Sequence, residues 1–264
     1  MNPMLNVATS AARAAAKIIL TGLDRIDSVR IAEKSRNDFV TSVDKAAEAE
    51  IIAVLSNAYP DHKFLSEEAY SDTELNNTES FWIIDPLDGT TNFIHRIPHF
   101  AIAMAFYHKG QVELSLVYDP MRDELFTALR GKGARCNQHR MRVSTIRKLD
   151  RALIATGFPS RYEERQAPYM ATMKDCFERV GGVRRSGSAA LDIAYVACGR
   201  YDGFFDTDLK VWDVAASNLL VQESGGYVKD FAGTSSDIIC DNIIVSNPDL
   251  YPQLQSLVGE HYST

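Results

Sequence analysis

The chain has 264 residues, 45% hydrophobic and 24% charged, the make-up of an ordinary soluble globular protein long enough to bury a substantial core. Its formal net charge of −7 disfavours bulk electrostatic attraction to nucleic acid. No apolar run approaches the roughly 18 residues of a membrane helix, and Cys136, Cys176, Cys198 and Cys240 are too scattered for a Cys-x-x-Cys zinc pair or a secreted disulfide framework, so a cytoplasmic location is expected.

Residues 1–23 carry Arg13, Lys17, many alanines and no acid before Asp24. That is a transit-peptide composition, but Leu5, Ala8, Ala12, Ala15, Ile19 and Leu23 fall near one face and predict an amphipathic first helix. The polar stretch from Glu33 to Asp44 reads as turn-prone and leads into a helix from about Val43 to Ala58, stopped by Pro60. His62 to Ser66 form a short strand running into Glu67 and Glu68, and the Ser-, Asp- and Asn-rich segment Ala69 to Ser80 reads as an exposed loop. Phe81 to Ile84 are a buried strand. Pro86 lacks a backbone donor, so the ladder is expected to stop and the chain to turn at Asp85.

A strand from His99 to Tyr107 follows, then an antiparallel meander over residues 112–118 and 124–129. This first half (about 1–150) reads as α+β, two helices on a multi-stranded sheet. Between Arg130 and Arg151 stand eight Lys or Arg residues against one acid, Asp150. A solvated edge or a partner-facing patch would both account for them. From Ala152 onward (about 151–264) strands and helices alternate as in an α/β layer: helices at about 163–180, 189–198 and 212–223, a strand at 201–205 and a terminal helix from about Pro248.

The chemistry concentrates at residues 81–93, where an apolar strand ends in Asp85, Asp88, Gly89, Thr90, Thr91 and Asn92. The plain alternative is a strand ending in an Asp-rich turn. Two clustered carboxylates beside a glycine and an anion-receptive helix start also suit a divalent cation bound to a phosphate oxygen. The whole string resembles the signature Asp-Pro-Ile/Leu-Asp-Gly-Thr-x-Asn of the inositol monophosphatase family. Haloacid dehalogenase phosphatases carry Asp-x-Asp-Gly-Thr with the acids two apart, whereas Asp85 and Asp88 are three apart, which argues for activated water over an aspartyl-phosphate. Three further stretches match the family: Lys34-x-x-x-Asp38-x-Val40-Thr41-x-x-Asp44, the pair Glu67-Glu68, and Trp212-Asp213-Val214-Ala215-Ala216. The Arg184-Arg185-Ser-Gly-Ser-Ala-Ala-Leu-Asp segment resembles the bacterial SuhB branch.

The resemblance implies a layered αβαβα sandwich, a single catalytic domain over residues 1–264 and a Mg²⁺-dependent phosphomonoesterase acting on inositol 1-phosphate and related polyol or sugar phosphates. Glu67, Asp85 and the carbonyl of Leu87 would hold one Mg²⁺, and Asp85, Asp88 and Asp213 a second. A third, weaker ion near Glu67 is implied as well, and lithium inhibition is the family's mark. Thr90 and Glu67 would orient the attacking water, and the N–H groups of Gly89 and Thr90 would receive phosphate oxygens. The polyol would lie against Asp88, Gly187, Ser188 and Ala189, with Asp206 holding hydroxyls; the family typically has Glu there, followed by an apolar residue and Gly in place of Thr207-Asp208. The same resemblance implies a homodimer. It also offers another role, as a partner of RNA polymerase and Nus factors in ribosomal RNA antitermination. Fructose 1,6-bisphosphatase and nucleotide 3′-phosphatase are the rival activities.

Overall fold

The computed structural model describes residues 2–35, 38–68, 80–159, 163–235, 238 and 241–262, with backbone only for Lys34, Ser35 and Asp38. The side chains of Lys34 and Asp38, Cys240 and the loop expected over 69–79 lie outside the described residues. Helix α1 (Pro3–Asp24) starts where the Asn2 side chain accepts from the N–H groups of Met4 and Leu5 at 2.9 and 3.2 Å and Pro3 takes the first turn. Its buried stripe, Ala8, Ala11, Ala12, Ala15, Ala16 and Ile19, is mostly small, so α2 (Ser42–Ala58) can lie close against it. A Cβ on Gly22 would stand 2.6 Å from Val43 Cγ2. Between the helices the stretch expected to be only turn-prone forms an antiparallel hairpin, β1 (Ile31–Ser35) with β2 (Asp38–Thr41).

The first sheet takes β3 (Lys63–Ser66), β4 (Ser80–Asp88), β5 (Ala101–His108), β6 (Gln111–Asp119), β7 (Glu124–Leu129), β8 (Gly133–Cys136) and β9 (His139–Arg140) in that spatial order. Only β3 and β4 run parallel. The short helix α3 (Thr90–Ile94) interrupts between β4 and β5. The second half contributes, in chain order, β10 (Leu153–Thr156), α4 (Gln166–Arg179), β11 (Gly182–Arg184), α5 (Ala189–Ala197), β12 (Gly203–Leu209), α6 (Val211–Glu223), β13 (Tyr227–Lys229), β14 (Asp241–Ser246) and α7 (Tyr251–Tyr262). Its five strands order as β11-β10-β12-β14-β13, with β10 parallel to both neighbours and β14 antiparallel to both of its own.

The layers follow from which helices are apolar on one side and which all round. Helices α1 and α2 carry one buried stripe each and cover the outer face of the seven-stranded sheet. Residues 190–197 of α5 and 214–221 of α6 are all buried, as a helix hydrophobic around its whole circumference must be. These two lie between the sheets and build the central core with both. Helices α4 and α7 close the far side of the five-stranded sheet. The order is therefore helix, sheet, helix, sheet, helix, the αβαβα sandwich expected. Cys136, Cys176 and Cys198 are free thiols, and among the described residues no helix is long and apolar enough to cross a membrane.

One expectation at the centre of the chain is corrected. Strand β4 does not stop before Pro86 but pairs with β5 as far as Asp88, with Asp85 opposite Ala103 and Asp88 opposite Ala101. Three steps on one strand face two on the other, which is a β-bulge. A proline is tolerated there because the bulge asks no ladder bond of it.

Candidate active site

The bulge aims both acids of β4 the same way. Asp85 is almost completely buried, and its Oδ1 accepts the Leu87 N–H at 2.9 Å, which fixes the turn of the bulge. Gly89 follows with φ +100, left-handed backbone natural to glycine. A Cβ there would meet the carbonyl oxygens of His99 and Gly187 at 3.1 and 3.2 Å. The chain is thus wedged between two segments, and α3 opens directly into the site with first-turn N–H groups that have no partner inside the helix.

Glu67 leaves the end of β3 beside these groups, tied by its N–H to the Ile84 carbonyl at 3.3 Å. Asp213 arrives from the first turn of α6, its Oδ2 accepting the Lys210 N–H at 2.6 Å. Asp88 is held by α5: its Oδ2 accepts from Ser188 Oγ at 2.5 Å and from the Ala190 N–H at 2.7 Å. Glu67, Asp85, Leu87, Asp88, Gly89, Thr90, Gly187, Ser188, Ala189, Asp206 and Asp213, all anticipated from the sequence, line one cavity of about 210 Å³.

The electrostatics of that cavity are unfavourable without a counter-charge. Burial, and then the neighbouring charges of Glu67, Asp88 and Asp213, push the Asp85 carboxyl well above its usual range. Burial lifts Asp88 to about 6 although Ser188 and Ala190 stabilise its anion. Several carboxylates and the Leu87 carbonyl form an oxygen-only donor set, the kind a hard divalent cation prefers. A second acid-and-histidine group, Asp175, Glu260 and His261, has its donor atoms within 4.8 Å of one another, but it sits between α4 and α7 and is knit by Arg179 at 3.4 Å from Glu260.

Thr90 shows a partnership the sequence reading passed over. Its Oγ1 donates to Asp44 Oδ1 at 2.9 Å and lies 3.1 Å from the Leu87 carbonyl. Asp44 is itself set by Thr41 at the start of α2, whose N–H donates to Asp44 Oδ2 at 2.9 Å while its hydroxyl bonds the same oxygen. This is a capping box. Burial raises the Asp44 carboxyl, opposed by the bonds from Thr41 and Thr90. Asp44 belongs to the matched stretch 34–44, but only the fold brings it to Thr90.

The rest of the cavity is lined from the second half of the chain. Asp206 on β12 is buried, with Oδ1 accepting the Thr207 N–H at 2.8 Å, and burial pushes it up to about 7. It lies over Gly157, where a Cβ would stand 2.1 Å from Asp206 Oδ2. Asp208, in the position of the family's glycine, takes φ +69 and is pinned by Arg165 at 2.5 Å, which also reaches Asp241 at 2.7 Å. Thr156, Phe158, Arg185 and Asp192 complete this wall; no site role was expected of any of them, although Arg185 and Asp192 lie in the stretch 184–192 that carries the branch resemblance.

The layered fold with its acid-lined cavity is that of a class of phosphatases. The chain belongs to the inositol monophosphatase family, whose pattern it matches over residues 1–263. Among its relatives is the Nus factor SuhB of Escherichia coli (strain K12), 49% identical over 248 residues, which are 94% of this chain and 92% of that protein. The extragenic suppressor protein suhB of Bartonella henselae has the same fold, with a TM-score of 0.91 and 38% identity over 97% of this chain and 98% of that one. An IMPase/NADP phosphatase solved in complex with Mg²⁺ and phosphate has a TM-score of 0.83 at 26% identity, covering 97% of this chain and 96% of that one.

Proposed function

We propose that the protein is a Mg²⁺-dependent phosphomonoesterase that hydrolyses inositol 1-phosphate and related polyol or sugar phosphates to the free alcohol and phosphate. The observation that carries this reading is the convergence of Glu67, Asp85, Asp88 and Asp213 on the cavity that α3 opens into. Glu67, Asp85 and the Leu87 carbonyl would hold one ion, Asp85, Asp88 and Asp213 a second, and by the family resemblance a third, weaker ion would bind near Glu67. When bound, such ions activate water and neutralise the leaving oxygen. The complex of a family member with Mg²⁺ and phosphate supports the same choice of cation.

The chain's own groups divide the remaining work. The first-turn N–H groups of Gly89 and Thr90 receive phosphate oxygens. Because the Thr90 hydrogen is committed to Asp44, Thr90 Oγ1 turns its lone pairs toward the cavity and can accept a hydrogen from the attacking water, with Glu67 opposite and Asp44 behind as the final proton acceptor. Gly187, Ser188, Ala189, Asp88 and Asp206 position the alcohol. Phosphate release from inositol 1-phosphate, fructose 1,6-bisphosphate and adenosine 3′,5′-bisphosphate, with Asp85→Asn as control and lithium in parallel, tests the reading. Fast, lithium-sensitive turnover of the first, abolished in Asp85→Asn, is the expected result; inactivity of the folded, Mg²⁺-saturated protein on all three would reject it.

A second role has its own support, since relatives at 44–49% identity carry the name Nus factor SuhB. We propose that the protein also serves as a partner of RNA polymerase and Nus factors in the bacterial cytoplasm, acting as a homodimer. Lys132, Arg140 and Arg142 line a shallow depression with Gln222 and Glu223, where Glu223 braces the β7–β8 turn through the N–H groups of Gly131 and Gly133, each at 2.7 Å. Reversing the charges of Arg140 and Arg142 should weaken co-purification with the transcription complex and leave phosphate release intact. Undiminished co-purification would count against this surface.

A further inference from the structure

Strand β12 delivers Asp206 to the cavity through a second bulge. Asp206 stands opposite Ile243 and Leu209 opposite Asp241, so three steps on β12 face two on β14, the same count that aims Asp85 and Asp88 on β4. The upstream shoulder is tied within the bulge, by the bond from the Thr207 N–H to Asp206 Oδ1. The downstream shoulder is Asp208, at φ +69, and across the ladder Asp241 takes φ +64. Left-handed backbone is unfavourable for a residue with a Cβ and persists where the surroundings fix it, although aspartate bears it better than most. Both of these aspartates meet one group. Arg165 ends the 3₁₀ turn Glu163–Arg165 that enters α4, and its Nη1 lies 2.5 Å from Asp208 Oδ1 and 2.7 Å from Asp241 Oδ1. The side chain of Asp208 is only 8% exposed, so this half of the clamp is shielded from water and stronger than an ordinary surface ion pair.

An alternative reading is purely structural: Arg165 neutralises a buried acid and fastens the start of α4 to the sheet. That reading accounts for the ion pair with Asp208. It does not account for two left-handed aspartates, one on each strand of the bulge, meeting the same guanidinium nitrogen, where a glycine at 208 would need no partner. Asp206 has little freedom of its own, being held at one oxygen by Thr207 and pressed against Gly157 at the other, so its carboxylate follows the bulge.

We infer that Arg165 is a positioning residue: by holding Asp208 against Asp241 it fixes the bulge of β12, and with it the place of the Asp206 carboxylate in the cavity. This rests on the phosphatase reading above and on the part given there to Asp206. Arg165 acts through Asp208, which lines the cavity, and takes no part in cleaving the phosphoester. Its loss therefore shows in how well the alcohol is held and not in the rate of the bound complex.

The test is kcat and KM of the Mg²⁺-loaded full chain for inositol 1-phosphate, with thermal melting in parallel. Arg165→Gln should raise KM about tenfold, the worth of one hydrogen bond to a carboxylate, and change kcat by less than about twofold. Adding Asp208→Gly, which takes the left-handed conformation unaided, should bring KM back to within about twofold of wild type, a departure from additivity that a double-variant cycle reads directly. Asp241→Asn, at the exposed end of the clamp, should raise KM about threefold in the same sense, and it serves as the readout if melting shows that Arg165→Gln does not fold. A lower melting temperature with unchanged KM, or a raised KM that Asp208→Gly fails to restore, would overturn the inference while leaving the phosphatase reading intact. Failure of the wild-type protein to turn over this substrate would remove the phosphatase reading and this inference with it.

Discussion

At the scale of single residues, the site is governed by carboxylates held where water cannot relax around them. Asp206 is the clearest case, because its causes are local: burial raises it to about 7, against 3.8 for a free side chain. An acid whose folded pKa is raised holds its proton more tightly when folded, so its contribution to stability is fully present below pH 4 and is lost as pH rises toward 7. The loss amounts to at most about 1.4 kcal/mol per pH unit across that window. Asp206→Asn, which keeps an oxygen for the Thr207 N–H, should therefore flatten the fall in melting temperature between pH 4 and 7; a slope identical to wild type would show that Asp206 does not titrate there. The departure from the family's Glu was visible in the sequence, and so was Gly157 as a residue, but not that the two touch. They are 49 positions apart, Asp206 on β12 and Gly157 just past the end of β10, and only the pairing of β10 with β12 brings them together.

At the scale of elements, each helix start near the site is also a structural cap. Thr41 caps α2 and at the same time bonds Asp44, which in turn holds Thr90. Thr41→Ala should destabilise the protein by about 1 kcal/mol, the usual cost of a lost N-cap, and lower kcat more than it raises KM, because Asp44 and Thr90 lose their alignment while the substrate contacts stay. Thr41→Ser should restore both. A variant that is less stable but has unaltered kcat would separate the cap from the catalytic dyad. The strand-to-turn boundary at Pro86 was misjudged for an element-level reason. Proline's missing donor excludes an ordinary ladder position, but not a bulge, and a bulge depends on the register of the neighbouring strand, which residues 81–93 do not contain.

At the scale of the whole molecule, acids from the first sheet, from α6 and from the loop after β3 are brought together by the stacking of layers, and their repulsion is part of the fold's free energy. Asp85 feels it most, through Glu67, Asp88 and Asp213. Asp85→Asn should raise the melting temperature of the metal-free protein while abolishing phosphate release. Wild type should gain stability with Mg²⁺, by about 2.7 kcal/mol at a hundred times Kd, and the variant much less. Equal stabilisation of both by Mg²⁺ would place the cation elsewhere. The layers also bear on domain organisation: the inner face of the seven-stranded sheet is covered by α5 and α6, which come from the second half of the chain. We propose on that basis that residues 1–264 form one catalytic domain whose halves do not fold apart, to be checked by a single coincident unfolding transition in far- and near-ultraviolet circular dichroism.

Local motifs were enough to place the chain in its family. The spacing of Asp85 and Asp88, the glycine and threonines after them, Glu67 at a strand end and Asp213 at a helix start together carry the family resemblance, although Glu67 or Asp213 alone reads as a loop start or a helix cap. Most helices could also be read, because amphipathic or wholly apolar periodicity is a property of consecutive residues. What only the tertiary structure decided are the relations between distant segments: Thr90 with Asp44, Asp206 over Gly157, Arg165 pinning Asp208, and His99 within 3.8 Å of Asp192. Such pairs are separated by 43 to 93 positions in the numbering, as Asp208 is from Arg165 and Asp192 from His99. Their contacts arise when apolar faces are buried layer on layer, an outcome set by the summed burial of the whole chain and not by any stretch of it.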